Sequence, residues 1–218
     1  MNLKYVCLGC LFMLTTTACK SGGRSVGSHE STTSRPTAFD NDDALLDYIE
    51  QVHLNYMWDG AEPISGLARE RIHIDGVYPE NDRDVVTTGG SGFGIAGLLV
   101  GIDRGFIDRR QGVNRLTRIV DWLARADRFH GVWPHWLHGP TGKVKPFGPK
   151  DDGGDLVESC FLMQGLLCVR QYFKDGNASE KALAEKIDEL WRAMEFDWYT
   201  RGGREVLYWH WSPNYGWE

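Results

Sequence analysis

DDGGDLVESCFLMQ, residues 151–164, contains the strongest single indication of the fold class. The glycine pair at 153–154 interrupts the chain, and Asp151 or Asp152 is placed to cap the free amides of the turn that follows. Apolar residues then run with few breaks from Leu156 to Phe173, which predicts a helix that is buried on most sides.

Two carboxylates, Asp155 and Glu158, stand three residues apart at the start of this helix. They share one helix face, with Cβ atoms roughly 5–6 Å apart. Because carboxylates at the mouth of a buried helix are costly unless they bind something, the pair is a candidate catalytic or binding site. The alternative is simple capping, since the helix dipole favours acidic side chains in a first turn.

Two aromatic runs favour the ligand-site interpretation. They read FHGVWPHWLH at 129–138 and YWHWSPNYGW at 208–217. Their proline and glycine residues predict loops or short strands at one end of a helical scaffold. Aromatic faces grouped with acids suit the apolar faces and the hydroxyls of a sugar.

The candidate substrate-binding residues come from these runs and from one upstream loop. Indole rings form platforms for sugars and imidazoles bond hydroxyl groups, although a tryptophan is as often packed inside the protein. No metal site or cofactor is predicted, because the histidines lack cysteine or carboxylate partners at ligand spacing. The candidates are Trp133, His135, Trp136, Trp209, His210, Trp211 and the loop acid Asp59, with His138 as a further hydroxyl-bonding side chain.

Four other helices are predicted, and buried helices alternate with amphipathic ones. This alternation is typical of an all-α toroid, an inner ring of helices enclosed by an outer ring, with an ordinary multilayer helical domain as the alternative. Glycines at 94, 97, 101 and 105 would let helices approach closely. The predicted ranges are 40–58, 93–107, 113–126 and 178–194, and the amphipathic stripe of the first is Leu45, Leu46, Ile49, Val52, His53 and Tyr56.

Residues 1–19 have the pattern of a bacterial lipoprotein signal peptide. Lys4 precedes a short apolar run, and small residues lead to Cys19, the predicted lipidation site. A plain secretory signal is the alternative. Residues 20–38 are polar and predict a flexible linker, so that 39–218 would form the folded domain, held by its lipid at the cell envelope.

The remaining composition excludes several classes of function. The formal net charge of −6 argues against nucleic-acid binding, whereas a neutral glycan tolerates it. Cys160 and Cys168 lie eight residues apart on one helix, a rise of about 12 Å, and therefore cannot bridge each other. No obligate protein partner is inferred.

Five blocks of sequence resemble the bacterial glycoamylase-like domain and, more narrowly, glycoside hydrolase family 144. The blocks are YMWDGAEPISGLARER at 56–71, TTGGSGFGIAGLLVGIDRGFI at 87–107, ADRFHGVWPHWLHGPTGKVKPF at 126–147, DDGGDLVESCFLMQGLLCVRQYF at 151–173 and LYWHWSPNYGW at 207–217. The resemblance implies an (α/α)6 toroid that is secreted or lipid-anchored and cleaves β-1,2-glucan, usually internally and with inversion.

Carried onto this chain, the resemblance matches Asp155 and Glu158 to the paired acids of the family's substrate cleft. The family's general acid and base lie after the motif at 207–217, so this chain is expected to be the N-terminal portion of the toroid, with about five helices. Inversion needs carboxyl groups about 6.5–9.5 Å apart, a wider gap than neighbours on one helix turn provide. Asp155 and Glu158 are therefore expected to bind substrate or to support an acid elsewhere.

Overall fold

Two inner helices lie side by side at the centre of the computed structural model, which describes residues 36–217. They are α2 (Thr88–Asp103) and α4 (Leu156–Phe173). Three outer helices surround them: α1 (Asp42–Trp58) packs on α2, α5 (Ala178–Arg192) packs on α4, and α3 (Arg109–Leu123) contacts both α5 and α2. The predicted all-α arrangement of inner and outer helices is confirmed. The predicted signal peptide at 1–19 and most of the predicted linker at 20–38 lie outside the described residues.

Glycines bring the two inner helices into backbone contact. A Cβ atom at Gly92 would lie 2.1 Å from the carbonyl oxygen of Phe161, and one at Gly165 would lie 2.2 Å from that of Gly92. Of the four predicted contact glycines, Gly94 and Gly101 meet side chains of α1. A Cβ atom at Gly97 or Gly105 would have no neighbouring atom within 4 Å. The inner contact therefore depends on two glycines that the sequence reading missed.

Helix α4 has the predicted bounds, and its N-cap agrees with the capping alternative for the acid pair. Asp155, not Asp151 or Asp152, is the capping residue, because its extended backbone lets the side chain accept from the Glu158 amide. Asn177 caps α5 in a reciprocal capping box with Glu180. Helix α2 begins five residues earlier than predicted, at Thr88.

The apolar stripes of the outer helices differ in burial. Those of α3 and α5 pack into the core as predicted, through residues such as Leu116, Leu123 and Ile187. The α1 stripe faces outward instead, and Leu54, which does not belong to it, is the buried residue of that helix. The inner helices are also open on one side, so their predicted burial on most sides holds only in part: the exposed apolar residues are Phe93, Val100, Val157, Phe161 and Tyr172.

Short antiparallel strands at one end of the helices position the site. The first sheet has the order β1 (Val85–Thr87), β2 (Trp136–His138), β3 (Val144–Lys145). The second joins β4 (Gly154–Asp155) to β5 (His210–Trp211), with Asp155 opposite His210. This pairing brings the second aromatic run to the start of α4.

Two further findings concern the described residues as a whole. None of the helices between residues 36 and 217 is long and apolar enough to cross a membrane. Cys160 and Cys168 are free thiols, as their predicted separation along α4 requires.

Candidate active site

Asp155 is the best-connected acid at the start of α4. Its side chain is fully buried, and Oδ1 accepts from the Glu158 amide at 2.9 Å. Oδ2 accepts from Nδ1 of His135 at 3.0 Å. Both carboxylate oxygens are therefore engaged, one by the helix and one by the imidazole.

Aromatic rings fix the orientation of the His135 ring. Phe147 stacks on it with ring centres 4.5 Å apart and planes 12° apart, and Trp136 meets it edge-on at 5.6 Å. The hydrogen bond to Asp155 is the main cause that raises the pKa of His135. Burial opposes this effect, and the charges of Glu158, Asp155 and Asp151 reinforce it.

Glu158 links the starts of the two inner helices. Its Oε2 atom accepts from the amide of Gly89, in the first turn of α2, at 2.9 Å. A carboxylate is favoured there by the dipole of α2. Gly89 makes the contact possible, because a Cβ atom at that position would lie 2.3 Å from Oε2. The hydrogen bonds of the described residues leave Oε1 unused.

An open cavity of about 480 Å³ is bounded by His210, the strand partner of Asp155. Trp209, which is 59% exposed, lines it together with Asp151, His210 and residues 148–150. The His210 Nε2 atom lies 2.9 Å from Asp151 Oδ1, but the two atoms are not aligned for a hydrogen bond. Both atoms are buried and lack another partner within the described residues, so each is the other's nearest polar group.

Asp152 anchors the turn that follows β5. Its two oxygens accept from the Ser212 hydroxyl and from Nδ2 of the Asn214 side chain, both at 2.5 Å. Burial alone raises the pKa of Asp152, but these hydrogen bonds outweigh it and leave the pKa below its usual value. The turn at 212–216 is thereby tied to the segment before α4.

Comparison with known proteins places this geometry in context. No family model matches the chain. A curated exo β-1,2-glucooligosaccharide sophorohydrolase (non-reducing end) from Parabacteroides distasonis is 47% identical over 193 residues, which are 87% of this chain and 26% of that protein. The solved endo-β-1,2-glucanase from Chitinophaga pinensis, in complex with sophorotriose and glucose, is 66% identical and covers 80% of this chain, with a TM-score of 0.79.

A solved β-1,2-glucanase from Parabacteroides distasonis is 48% identical over 81% of this chain, with a TM-score of 0.75. The resemblance to glycoside hydrolase family 144 is confirmed. The chain spans 42% of the Chitinophaga structure and 25% of the Parabacteroides structure. It therefore corresponds to less than half the length of these relatives.

Within this family framework, four of the predicted binding residues lie around Asp155 and Glu158. Trp136 and His135 pack together, His210 pairs with Asp155 across the small sheet, and Trp209 is exposed at the cavity. His138 lies farther along β2, opposite Val85. The grouping predicted for the loop aromatics is thus present for residues of both runs.

Two predicted sugar platforms are packed side chains. Trp133 is fully buried and its Nε1 donates to the carbonyl of Leu123 at 3.1 Å, so its indole belongs to the core. Trp211 packs edge-on against His130 and Trp198. Successive side chains of a strand point to opposite faces, which separates Trp211 from its neighbour His210.

Asp59 interacts with a different part of the protein from the acid pair. It is the exposed C-cap residue of α1, and its charge acts on Arg115 of α3. Its predicted place in the cleft remains a prediction. Within residues 36–217, no group of three or more His, Cys, Asp or Glu side chains is placed to hold a metal ion.

The sequence reading missed three contributors to the site: Asp151, Phe147 and Gly89. The sequence pattern predicts Asp151 only as a cap, although its position in DDGGD offers a signal. Phe147 and Gly89 belong to blocks of the family resemblance, yet no local pattern indicates that one stacks on an imidazole and the other donates to a carboxylate.

Proposed function

We propose that this chain forms one wall of the cleft of a glycoside hydrolase that acts on β-linked glucan, most specifically β-1,2-glucan. The observation that carries the proposal is the cavity where Asp151, His210 and the exposed Trp209 lie together, with His210 paired to Asp155 in the small sheet. Relatives named for action on β-1,2-glucan share 47–66% identity with this chain, which supports the choice of linkage.

The carboxylates divide into two kinds. Asp155 has both oxygens engaged inside the protein, so it offers none to a sugar. Glu158 retains one oxygen, and Asp151 lies at the cavity. We assign these two acids to glucan hydroxyls, with the apolar face of a glucose unit on Trp209.

Hydrolysis itself needs a general acid and a second carboxylate on the opposite side of the scissile bond. The family resemblance places both in sequence downstream of the motif at 207–217. In this proposal, the described residues bind and orient the glucan, and the downstream part of the enzyme supplies the acid and base.

The proposal is tested with three polysaccharides. The protein carrying the downstream segment is incubated with β-1,2-glucan, β-1,3-glucan and starch, and released oligosaccharides are measured. We expect products from β-1,2-glucan. Release from starch alone would refute the linkage and the substrate class together.

Capture of an oligosaccharide without cleavage is the second candidate function. The support is that the described residues supply groups that bind a sugar, Trp209 and Glu158 Oε1, while Asp155 has both oxygens engaged inside the protein. Calorimetric titration of the 218-residue chain with β-1,2-glucooligosaccharides separates the two functions. Binding with no turnover, weakened by Glu158→Gln, supports capture, whereas turnover by this chain excludes it.

We further propose that the mature protein is held at the bacterial cell envelope by lipid on Cys19. The support is the short apolar run and the small residues before Cys19 and the polar stretch after it. Stable anchoring needs more than one acyl chain, which the lipoprotein pathway provides. Cys19→Ala should move the protein from the membrane fraction to the soluble fraction; retention of the variant in the membrane fraction argues against the lipid.

A further inference from the structure

We propose that Asp155 is a positioning residue that does not touch glucan: it holds the His135 imidazole with its proton on Nδ1, so that Nε2 is the atom offered to a sugar hydroxyl. The inference rests on the proposed function for the identity of the ligand. The arrangement of the imidazole itself is independent of that function.

The first support is the enclosure of Asp155. Its exposed fraction is 0%, and its two oxygens accept from the Glu158 amide and from His135 Nδ1. A ligand that reached this carboxylate would have to break the N-cap of α4 or displace the imidazole. Direct contact with glucan is therefore excluded in this arrangement.

The second support is the immobilised ring of His135. Phe147 covers one face, Trp136 meets the ring edge-on, and the carboxylate holds Nδ1. Among the described residues, the hydrogen bonds of this ring use Nδ1 alone. With 18% of its side chain exposed, His135 keeps Nε2 as its one unused polar atom.

The third support is the chemistry of a carboxylate. An ionised carboxylate accepts hydrogen bonds and cannot donate them, so the Nδ1 atom facing it must carry a proton. An asparagine side chain has one acceptor and one donor group. If the side-chain amide of an Asp155→Asn variant kept its oxygen on the Glu158 amide, its NH₂ group would face Nδ1 and move the imidazole proton to Nε2.

Other charges also act on His135 and must be considered in any pH measurement. Glu158 on α4, Asp155 on β4 and Asp151 in the preceding loop all favour the protonated ring. Of these, Asp155 alone makes a hydrogen bond to the ring. Its substitution should therefore lower the pKa of His135, while the other two carboxylates still act on it.

The experiment measures the imidazole nitrogens directly. ¹⁵N chemical shifts of the full chain are recorded across a pH series for the native protein and for Asp155→Asn. We expect the Nδ1-protonated tautomer in the neutral native ring, and the Nε2-protonated tautomer with a lower pKa in the variant. A native ring protonated on Nε2 overturns the proposal. This result comes from the native protein alone and therefore does not depend on whether the variant folds.

A matched control separates positioning from helix capping. Asp108 caps α3 by accepting from the Gln111 amide and is remote in sequence from the site. Asp108→Asn makes the same chemical change at an N-cap and should leave the His135 shifts unchanged. An equal change in both variants would mean that capping alone is responsible, and would overturn the proposal.

Ligand binding forms the second arm, with sophorotriose as the probe. Asp155→Asn and His135→Gln should each weaken binding roughly tenfold, the loss of about one hydrogen bond. In the double variant, the effect of Asp155→Asn should disappear, because it acts through His135. Additive losses would contradict the proposal. If the native chain binds no sophorotriose, the proposed function fails, while the nitrogen shifts still decide the role of Asp155.

Discussion

Four carboxylates within eight residues have four different environments. Asp151 lines the cavity, Asp152 ties down a turn, Asp155 holds a helix and an imidazole, and Glu158 caps a second helix. Their residue type is nearly the same, so backbone conformation and neighbours determine what each does. Asp152 anchors a turn and does not line the cavity, so its substitution tests this difference in roles without changing the cavity.

Asp152→Asn should destabilise the protein by about 1 kcal/mol at neutral pH, the value of one charge-assisted hydrogen bond at a partly exposed site. The pKa of Asp152 is lowered on folding, so its stabilisation is present above the unfolded pKa and is lost as pH falls through the folded pKa. Urea unfolding of the native protein and the variant across this acidic range measures the difference.

Asp175→Asn is the control for this prediction, because the Asp175 side chain is 90% exposed. We expect the control to unfold like the native protein throughout. If the difference in the free energy of unfolding between the native protein and Asp152→Asn stays constant down to strongly acidic pH, the charge of Asp152 is not the cause of the stabilisation.

At the scale of helices, α2 and α4 act as one unit. Gly92 and Gly165 bring their backbones together, and Glu158 on α4 accepts from Gly89 on α2 near the cavity. The helix contact and the site are therefore coupled through the same pair of elements. We expect a substitution that disturbs the glycine contact to alter the hydrogen bond between Glu158 and the Gly89 amide as well.

Gly165→Ala should destabilise the protein by about 1–3 kcal/mol, since its Cβ would lie 2.2 Å from the Gly92 carbonyl oxygen and force the helices apart. Thermal or urea unfolding measures the loss. Gly97→Ala, a substitution of the same kind on α2 with no atom within 4 Å, should be neutral or stabilise by up to about 1 kcal/mol. Similar losses in both variants would contradict a specific contact at Gly165.

On the scale of the whole molecule, the outward face of α1 is the least expected feature. Leu46 is 52% exposed and Val52 is 46% exposed, beside a groove of about 280 Å³ between α1 and α2. Apolar side chains grouped in this way favour association with another protein surface. The described residues therefore have a surface prone to self-association.

A double variant, Leu46→Lys with Val52→Lys, should reduce self-association without lowering the melting temperature, because both side chains are already exposed. Sedimentation velocity over a range of protein concentrations measures association. Leu54→Ala on the buried face of the same helix should behave differently, with a loss of roughly 2–5 kcal/mol in stability. A native chain that is monomeric at all concentrations would contradict the role given to the α1 face.

Helical periodicity is a local property of the chain, so the number and kind of the helices were predictable from the sequence. Helix α4 has the predicted bounds, and the stripes of α3 and α5 are buried as expected. The gathering of His135, His210 and Trp209 near Asp155 also followed from the sequence, since glycine and proline placed the aromatic runs in loops at one end.

The role of each acid and the set of side chains that face the cavity depend instead on how separate segments of the chain pack together. Asp155 caps α4 and also pairs with His210 in the small sheet, and the indole of the buried Trp133 donates to the Leu123 carbonyl. The Gly92–Gly165 contact joins residues far apart in sequence. Such contacts depend on how helices and strands pack against each other. Periodicity along the chain shows which face of an element is apolar, but it does not identify the residue of another segment that packs there.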